Sequence, residues 1–176
     1  MEKGKLAWKI SVAGSEGVGK SSLISRIIYN TDKVQGSHRS LQKKTLRLES
    51  NGGIISVDLL LQEIDITKNE ERFIAGSNAV LVLTDITDPA SLASADQFLR
   101  YLESQDSARI VKLLVTKLDR KYEAKFWDEE LSQVSKKYDV DYTKLSSRTG
   151  DGFEPFFESL KQELLERYYE GKKIVR

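Results

Sequence analysis

Residues Gly14-Ser15-Glu16-Gly17-Val18-Gly19-Lys20-Ser21 constrain this chain more than any other feature of its sequence. They fit G-x-x-x-x-G-K-[ST], between the apolar run 5–13 and a segment with the helical spacing Leu23, Ile24, Ile27, Ile28. A glycine-rich turn between a strand and a helix points backbone N–H groups outward at a helix N-terminus, where an anion is favoured. In such a loop the backbone of Ser15, Glu16, Gly17, Val18, Gly19 and Ser22 wraps phosphates. Lys20 reaches the β and γ phosphates, and the Ser21 hydroxyl ligates Mg²⁺.

The rest of the chain supplies the scaffold such a loop needs. Leu46 and Leu48 alternate before Asn51-Gly52-Gly53, and the apolar run 54–61 follows, which predicts a two-stranded hairpin. The runs 79–84 and 110–116 are short and β-branched, as in strands buried on both faces of a parallel sheet. Helices are predicted after Asp88-Pro89, over 128–138 and from Glu154-Pro155 onward, with a short strand near 140–145. Strands alternating with helices give an α/β fold with helices on both faces of the sheet, whose ligands bind at the carboxyl ends of the strands. No composition shift or internal period marks a boundary, so residues 1–176 are read as one domain.

Composition removes several functions. There is no cysteine and one histidine, His38, so disulfides, thiol nucleophiles and thiolate zinc sites are excluded. Lys and Arg number 28 against 27 Asp and Glu, and a net charge of +1 argues against a nucleic-acid-binding surface. With no cysteine and no Met-Gly start, we expect no lipid anchor and a cytoplasmic monomer.

Thr116-Lys117-Leu118-Asp119 ends the run 110–116, and Ser146-Ser147-Arg148-Thr149-Gly150 follows later. Together with the phosphate loop, in this order, these segments resemble the first, fourth and fifth nucleotide motifs of Ras-superfamily small GTPases. The stretch 76–88 is Rab-like, and T-K-L-D is similar to the Rho-type variant of N-K-x-D. The resemblance implies a P-loop, Ras-like domain with a mostly parallel six-stranded sheet, GTP or GDP as ligand, and Mg²⁺. It implies that Asp119 accepts two hydrogen bonds from guanine, that Lys117 lies along the base and ribose, and that Thr116 ties this loop to the phosphate loop. Ser146, Ser147 and Arg148 would form the loop that meets the guanine oxygen, with Arg148 where the family usually has Lys. Adenine would leave the Asp119 carboxylate unpaired.

The middle of the family pattern is altered. There, an acid in D-x-x-G holds Mg²⁺ through water, the glycine N–H meets the γ-phosphate and a following Gln positions water. A gapless overlay, which we prefer, puts Leu61 at the acid and Ile64 at the glycine. In that register the strand 59–63 also resembles the C-terminal GTPase of Miro proteins. Rival registers use Asp58 with Gln62, or Asp65 with Lys68 and Asn69, as metal-side acid and weak catalytic candidate. Every register loses the glycine.

The Mg²⁺-ligating threonine of the family maps near Arg39, with Ser37, Ser40 or Thr45 as displaced substitutes, and the guanine-packing aromatic maps to Asp32, with Tyr29 nearest. Glu16 replaces a small residue. At about 6 Å from a γ-phosphate and an effective dielectric of about 20, its charge would cost about 2 to 3 kcal/mol unless Arg39 or Lys68 pairs with it. The expectation is a guanine-nucleotide-binding protein with weak or absent hydrolysis, contacting effector or regulator proteins through residues 32–48 and 58–75. An active slow switch and a nucleotide-stabilised scaffold are the alternatives.

Overall fold

The structure, a computed structural model, describes residues 6–31, 33, 41–105 and 107–174. Among these, the chain runs β1 (Leu6–Gly14), α1 (Lys20–Tyr29), β2 (Gln42–Ser50), β3 (Gly53–Asp65), β4 (Ala79–Asp85), α2 (Pro89–Ser104), β5 (Ile110–Thr116), α3 (Asp128–Tyr138), β6 (Tyr142–Lys144) and α4 (Phe153–Ile174). The six strands form one sheet in the order β2-β3-β1-β4-β5-β6. The β2–β3 hairpin is antiparallel and every other pairing is parallel.

Alternation along the strands builds two cores. Ile10, Val12, Leu59, Leu61, Leu81, Leu83 and Leu114 face α1 and α4, meeting Leu23, Ile27, Phe156 and Leu160. Ala13, Ile64, Val80, Val82, Leu113 and Val115 face α2 and α3, meeting Phe98, Leu99, Leu131 and Val134. All seven residues of β4 are buried because it lies inside the sheet with helices over both faces. The edge strand β2 instead alternates half-buried and exposed positions up to Leu48.

Local chemistry sets the helix starts. The Asp88 carboxylate accepts the Ala90 N–H at 3.0 Å, and Pro89 opens α2 where a missing N–H leaves no bond unmade. Glu130 accepts the Trp127 N–H at 2.8 Å, closing the first turn of α3. Two lengths differ from the sequence-based expectation. β6 is limited to three residues, and β3 continues past Leu61 to Asp65. The hairpin is thus longer than its apolar stretch, because the polar residues Gln62, Glu63 and Asp65 still pair in register with Ser11, Val12 and Gly14 of β1.

Candidate functional site

Parallel strands bring their carboxyl ends to one side of the sheet. β1 ends at Gly14, β3 at Asp65, β4 at Asp85 and β5 at Thr116, and the chain leaving β6 enters Leu145-Ser146-Ser147. After β1 the chain turns through Gly17 (φ 80°) and Gly19 (φ 102°), conformations that cost side-chain-bearing residues steric energy, and enters α1 at Lys20. The first N–H groups of α1, including those of Ser21 and Ser22, therefore face outward from the sheet end. Lys20 is buried, and its ammonium donates to the Gly14 carbonyl at 3.0 Å and the Ser15 carbonyl at 2.7 Å. Burial draws its pKa below the ordinary lysine value, against the opposing pull of Asp65, Glu63 and Glu70. Ser21 donates its hydroxyl to Glu63 Oε1 at 2.8 Å. A cleft of about 660 Å³ opens here, lined by Glu16, Lys20, Ser21, Glu63, Asp65 and Lys68 among others.

A second group of side chains is fastened to the phosphate loop from β5. The Thr116 hydroxyl sits 2.6 Å from the Val18 carbonyl and 3.1 Å from the Thr84 carbonyl. Lys117, at φ 62°, extends its ammonium to the Gly17 carbonyl at 2.8 Å and to Asp85 at 2.7 Å. Asp119 accepts the Ser146 hydroxyl at 2.7 Å, and Arg148 stands 3.9 Å from its other oxygen. Ser147 Oγ is buried with no hydrogen-bond partner among the described residues.

Arg26 and Asp85 were not singled out from the sequence. Arg26 donates from Nε (2.9 Å) and Nη2 (2.6 Å) to the Ser147 carbonyl, and from Nη2 to the Arg148 carbonyl at 3.1 Å. It clamps the loop after β6 onto α1. Its only sequence signal is a cation on α1 that leaves the apolar stripe unbroken, and such cations are ordinarily solvated.

The acidic segment corrects the gapless overlay. Leu61 is fully buried against α1 and pairs with Ile10, whereas Asp65 is the residue opposite Gly14 at the strand end. The Ile66 N–H also reaches the Gly14 carbonyl at 3.3 Å. The longer hairpin moves the strand end four residues beyond Leu61, to Asp65, and counting from Asp65 would put Lys68 and Asn69 at the glycine and Gln positions of the pattern. Asp58 is also excluded from the cleft. It lies mid-strand, accepts the Thr45 hydroxyl at 2.6 Å and faces Lys43 at 3.8 Å. Thr45 is thereby removed as a displaced switch residue, while Asp32, Ser37, His38, Arg39 and Ser40 lie outside the described residues. Gln62 lines the cleft; Asn69 is exposed at φ 54°. Glu16 is exposed, and Lys68, offered above as its partner, stands 3.4 Å from Asp65 instead.

Asp65 is itself held in its own loop. Its Oδ1 accepts the Thr67 N–H at 2.9 Å and the Thr67 hydroxyl at 2.6 Å, and its N–H donates to Glu70 at 2.7 Å. Burial works to raise its pKa, but the Thr67 donors, Lys20 and Lys68 outweigh it and hold the carboxyl below its ordinary value. The cleft thus offers a desolvated ammonium for an anion and hard oxygens, from Ser21 and Glu63, of the kind Mg²⁺ prefers. Among the described residues no group of three or more His, Cys, Asp or Glu converges as a cage.

Comparison with known proteins agrees with this geometry. Ras-related protein Rab-18 of Lymnaea stagnalis is 30% identical over 164 residues, covering 90% of this chain and 80% of that protein. GTP-binding protein YPT52 of Saccharomyces cerevisiae is 25% identical over 96% of this chain and 84% of its own length. Ras-related protein RabC of Dictyostelium discoideum is 24% identical over 91% of this chain and 85% of its own. The Ras family matches residues 9–166, from the middle of β1 into α4, and the chain belongs to that family of small GTPases.

Proposed function

We propose that this protein binds GTP or GDP with Mg²⁺ in the cleft at the carboxyl end of the sheet, reads guanine through Asp119, and hydrolyses GTP weakly or not at all. The observation that carries the reading is the bonding of Thr116 and Lys117 to the phosphate loop, at the Val18 and Gly17 carbonyls. It makes the base-side loop and the phosphate-side loop one rigid unit, spaced by the sheet for one nucleotide. Lys20 would meet the phosphates, Ser21 would ligate the metal, and Arg26 would hold the Ser147–Arg148 backbone against the base.

Weak hydrolysis is supported by the chemistry of the Asp65 loop. Lys68 lacks the conformational freedom of a glycine, and the Asn69 amide is one methylene shorter than that of Gln. Residues 32–48 and 58–75, with Leu41 and Phe73 exposed among the described ones, would form the surface on which a monomer meets effector or regulator proteins. A nucleotide-stabilised scaffold is the second reading, favoured by the hydrogen bonds that tie Asp65 to Thr67 and Glu70 of its own loop.

The nucleotide that co-purifies with the protein, identified by mass, tests binding directly: GDP or GTP is expected, and neither would reject the assignment. Asp119→Asn should shift preference from guanine toward xanthine nucleotides, and an unchanged preference would reject the role given to that loop. Single-turnover assays of GTP-loaded protein then separate the two readings. Slow turnover that disappears in Lys20→Ala supports an enzyme, and turnover equal to that variant supports the scaffold.

A further inference from the structure

The amino ends of β1, β4 and β5 meet at the pole of the sheet opposite the cleft described above. They are laced together there: the Asn78 side chain accepts the Lys9 N–H at 2.9 Å, and the Asn78 carbonyl accepts the Ile110 N–H at 2.9 Å. Ser107-Ala108-Arg109 leads across this pole into β5. Arg109 donates from Nε to Ser107 Oγ at 2.9 Å, but its Nη1 is buried without a partner, and Nη2 has none among the described residues either. A guanidinium carries five N–H donors, and a charged donor left unmatched away from water is costly. Arg109 therefore presents an edge of two nitrogens with its hydrogen bonds unmade.

Positive charge accumulates around that edge. Arg167 of α4 donates to the Ala108 carbonyl and comes only within 3.9 Å of Glu163, which Lys112 holds more closely at 2.9 Å. Lys9 registers the imbalance: burial first, and the charge of Arg109 second, draw its pKa below the ordinary lysine value. A cavity of about 360 Å³ opens at this place, with Trp8, Leu164 and Tyr168 on one side and Ser107, Arg109 and Arg167 on the other. A second cavity of about 360 Å³ shares those three polar residues and continues toward Leu102 and Val140. We propose that this pole is a second binding site, for a small organic anion whose carboxylate or phosphate meets the free edge of Arg109 and whose apolar body lies along Trp8, Leu164 and Tyr168. Two parallel N–H donors on a planar group match the paired oxygens of either anion, which a lysine ammonium does not. β1 runs from Leu6 at this cavity to Gly14 at the phosphate loop, about 26 Å at about 3.3 Å per residue, so the inference stands independently of the nucleotide reading.

The test is an NMR titration of the ¹⁵N-labelled protein with hexanoate, phenyl phosphate, inorganic phosphate and the neutral hexanol. Hexanoate, phenyl phosphate or both should shift the Trp8 indole and the Ser107 and Ala108 amides at millimolar concentration. A response to only one of them identifies the anion as carboxylate or phosphate. Hexanol, which lacks the charge, and inorganic phosphate, which lacks the apolar body, should each bind about tenfold more weakly or worse. Arg109→Gln should weaken binding about tenfold or more, and Arg109→Lys should recover little of it. Arg167→Gln should weaken binding as well, whereas Arg100→Gln, at an exposed position of α2 outside both cavities, should not. The spectra of the variants themselves report whether the fold is kept. Unchanged affinity in both Arg109→Gln and Arg167→Gln, hexanol binding as tightly as hexanoate, no response to either organic anion, or shifts confined to Gly17 and Gly19 of the phosphate loop would each overturn the proposal.

Discussion

Lys117 places its ammonium 2.7 Å from Asp85 Oδ2, joining the carboxyl ends of β4 and β5 by an ion pair whose acid is 8% exposed and whose base is 31% exposed. The same ammonium donates to the Gly17 carbonyl at 2.8 Å. One side chain thus ties together β4, β5 and the phosphate loop. The backbone at Lys117 adopts a left-handed conformation to make this possible, and the Leu118–Glu123 turn begins immediately after it. A non-glycine residue at positive φ persists where surrounding contacts outweigh its cost, and here those contacts are the ones that join the two halves of the site.

Asp85 gives this connection a pH dependence. Burial tends to raise its pKa, but the hydrogen bond from Lys117 and the two from Thr87 outweigh it, so the folded value lies below the ordinary 3.8. A carboxyl depressed on folding contributes its full stability above its unfolded pKa and loses it as pH falls through the folded one. In urea denaturation, the wild type should exceed Asp85→Asn in stability at about pH 5, and the gap should narrow steadily toward about pH 3. A gap that stays constant or widens on acidification would show that Asp85 does not carry this charge coupling.

Arg26 should matter to ligand affinity more than to folding. Its guanidinium makes charge-assisted bonds to the Ser147 and Arg148 carbonyls, of a kind typically worth about 1.5 to 3 kcal/mol. Arg26→Ala should weaken guanine-nucleotide binding about tenfold, measured by calorimetry, and Arg26→Lys should recover part of the loss. Binding equal to that of the wild type would mean that the loop after β6 holds its shape without the clamp.

The distribution of these residues explains how far the sequence alone could be read. The Gly14–Ser21 loop is legible because its chemistry is local: consecutive residues supply the glycines, lysine and hydroxyl of one turn. Asp119 and Ser146 are legible because each follows a recognisable strand. Arg26, Glu63 and Asp85 act across sequence separations of 121, 42 and 32 residues, and no spacing rule connects them to their partners. Leu61 was misread for a different reason. The apolar run of β3 ends well before its hydrogen bonds to β1 do, so hydrophobicity located the strand and misjudged its end.

Gly152 and Gly171 form a contrasting pair. A Cβ at Gly152 would run into the Lys144 carbonyl oxygen, and its φ of 75° is itself unfavourable for other residues. Gly152→Ala should therefore destabilise the protein by about 2 to 4 kcal/mol, lowering Tm by about 5 to 15 °C. Gly171, in α4, has nothing within 4 Å of a built Cβ and an ordinary backbone, so Gly171→Ala should raise stability by about 0.5 to 1 kcal/mol. Differential scanning calorimetry of the two variants would refute the packing argument if their order were reversed.

Lys68 and Asn69 supply the last prediction, because they can be exchanged without disturbing the core. Both are exposed, and the Lys68–Asp65 ion pair at 3.4 Å involves a lysine that is 57% exposed, so its loss should cost less than about 1 kcal/mol. Lys68→Gly restores a backbone that can approach a γ-phosphate, and Asn69→Gln restores an amide long enough to orient water. A single hydrogen-bond donor aimed at developing charge is commonly worth about 10²- to 10³-fold in rate. If weak hydrolysis stems from these two positions, the double variant loaded with GTP and Mg²⁺ should turn over about tenfold faster than the wild type in a single-turnover assay. Each single variant should recover less than the pair, since the glycine N–H would meet the γ-phosphate while the amide orients the attacking water. Nucleotide that remains bound and intact at the wild-type rate in the double variant would rule out these residues as the cause, and direct attention to the segment before β2.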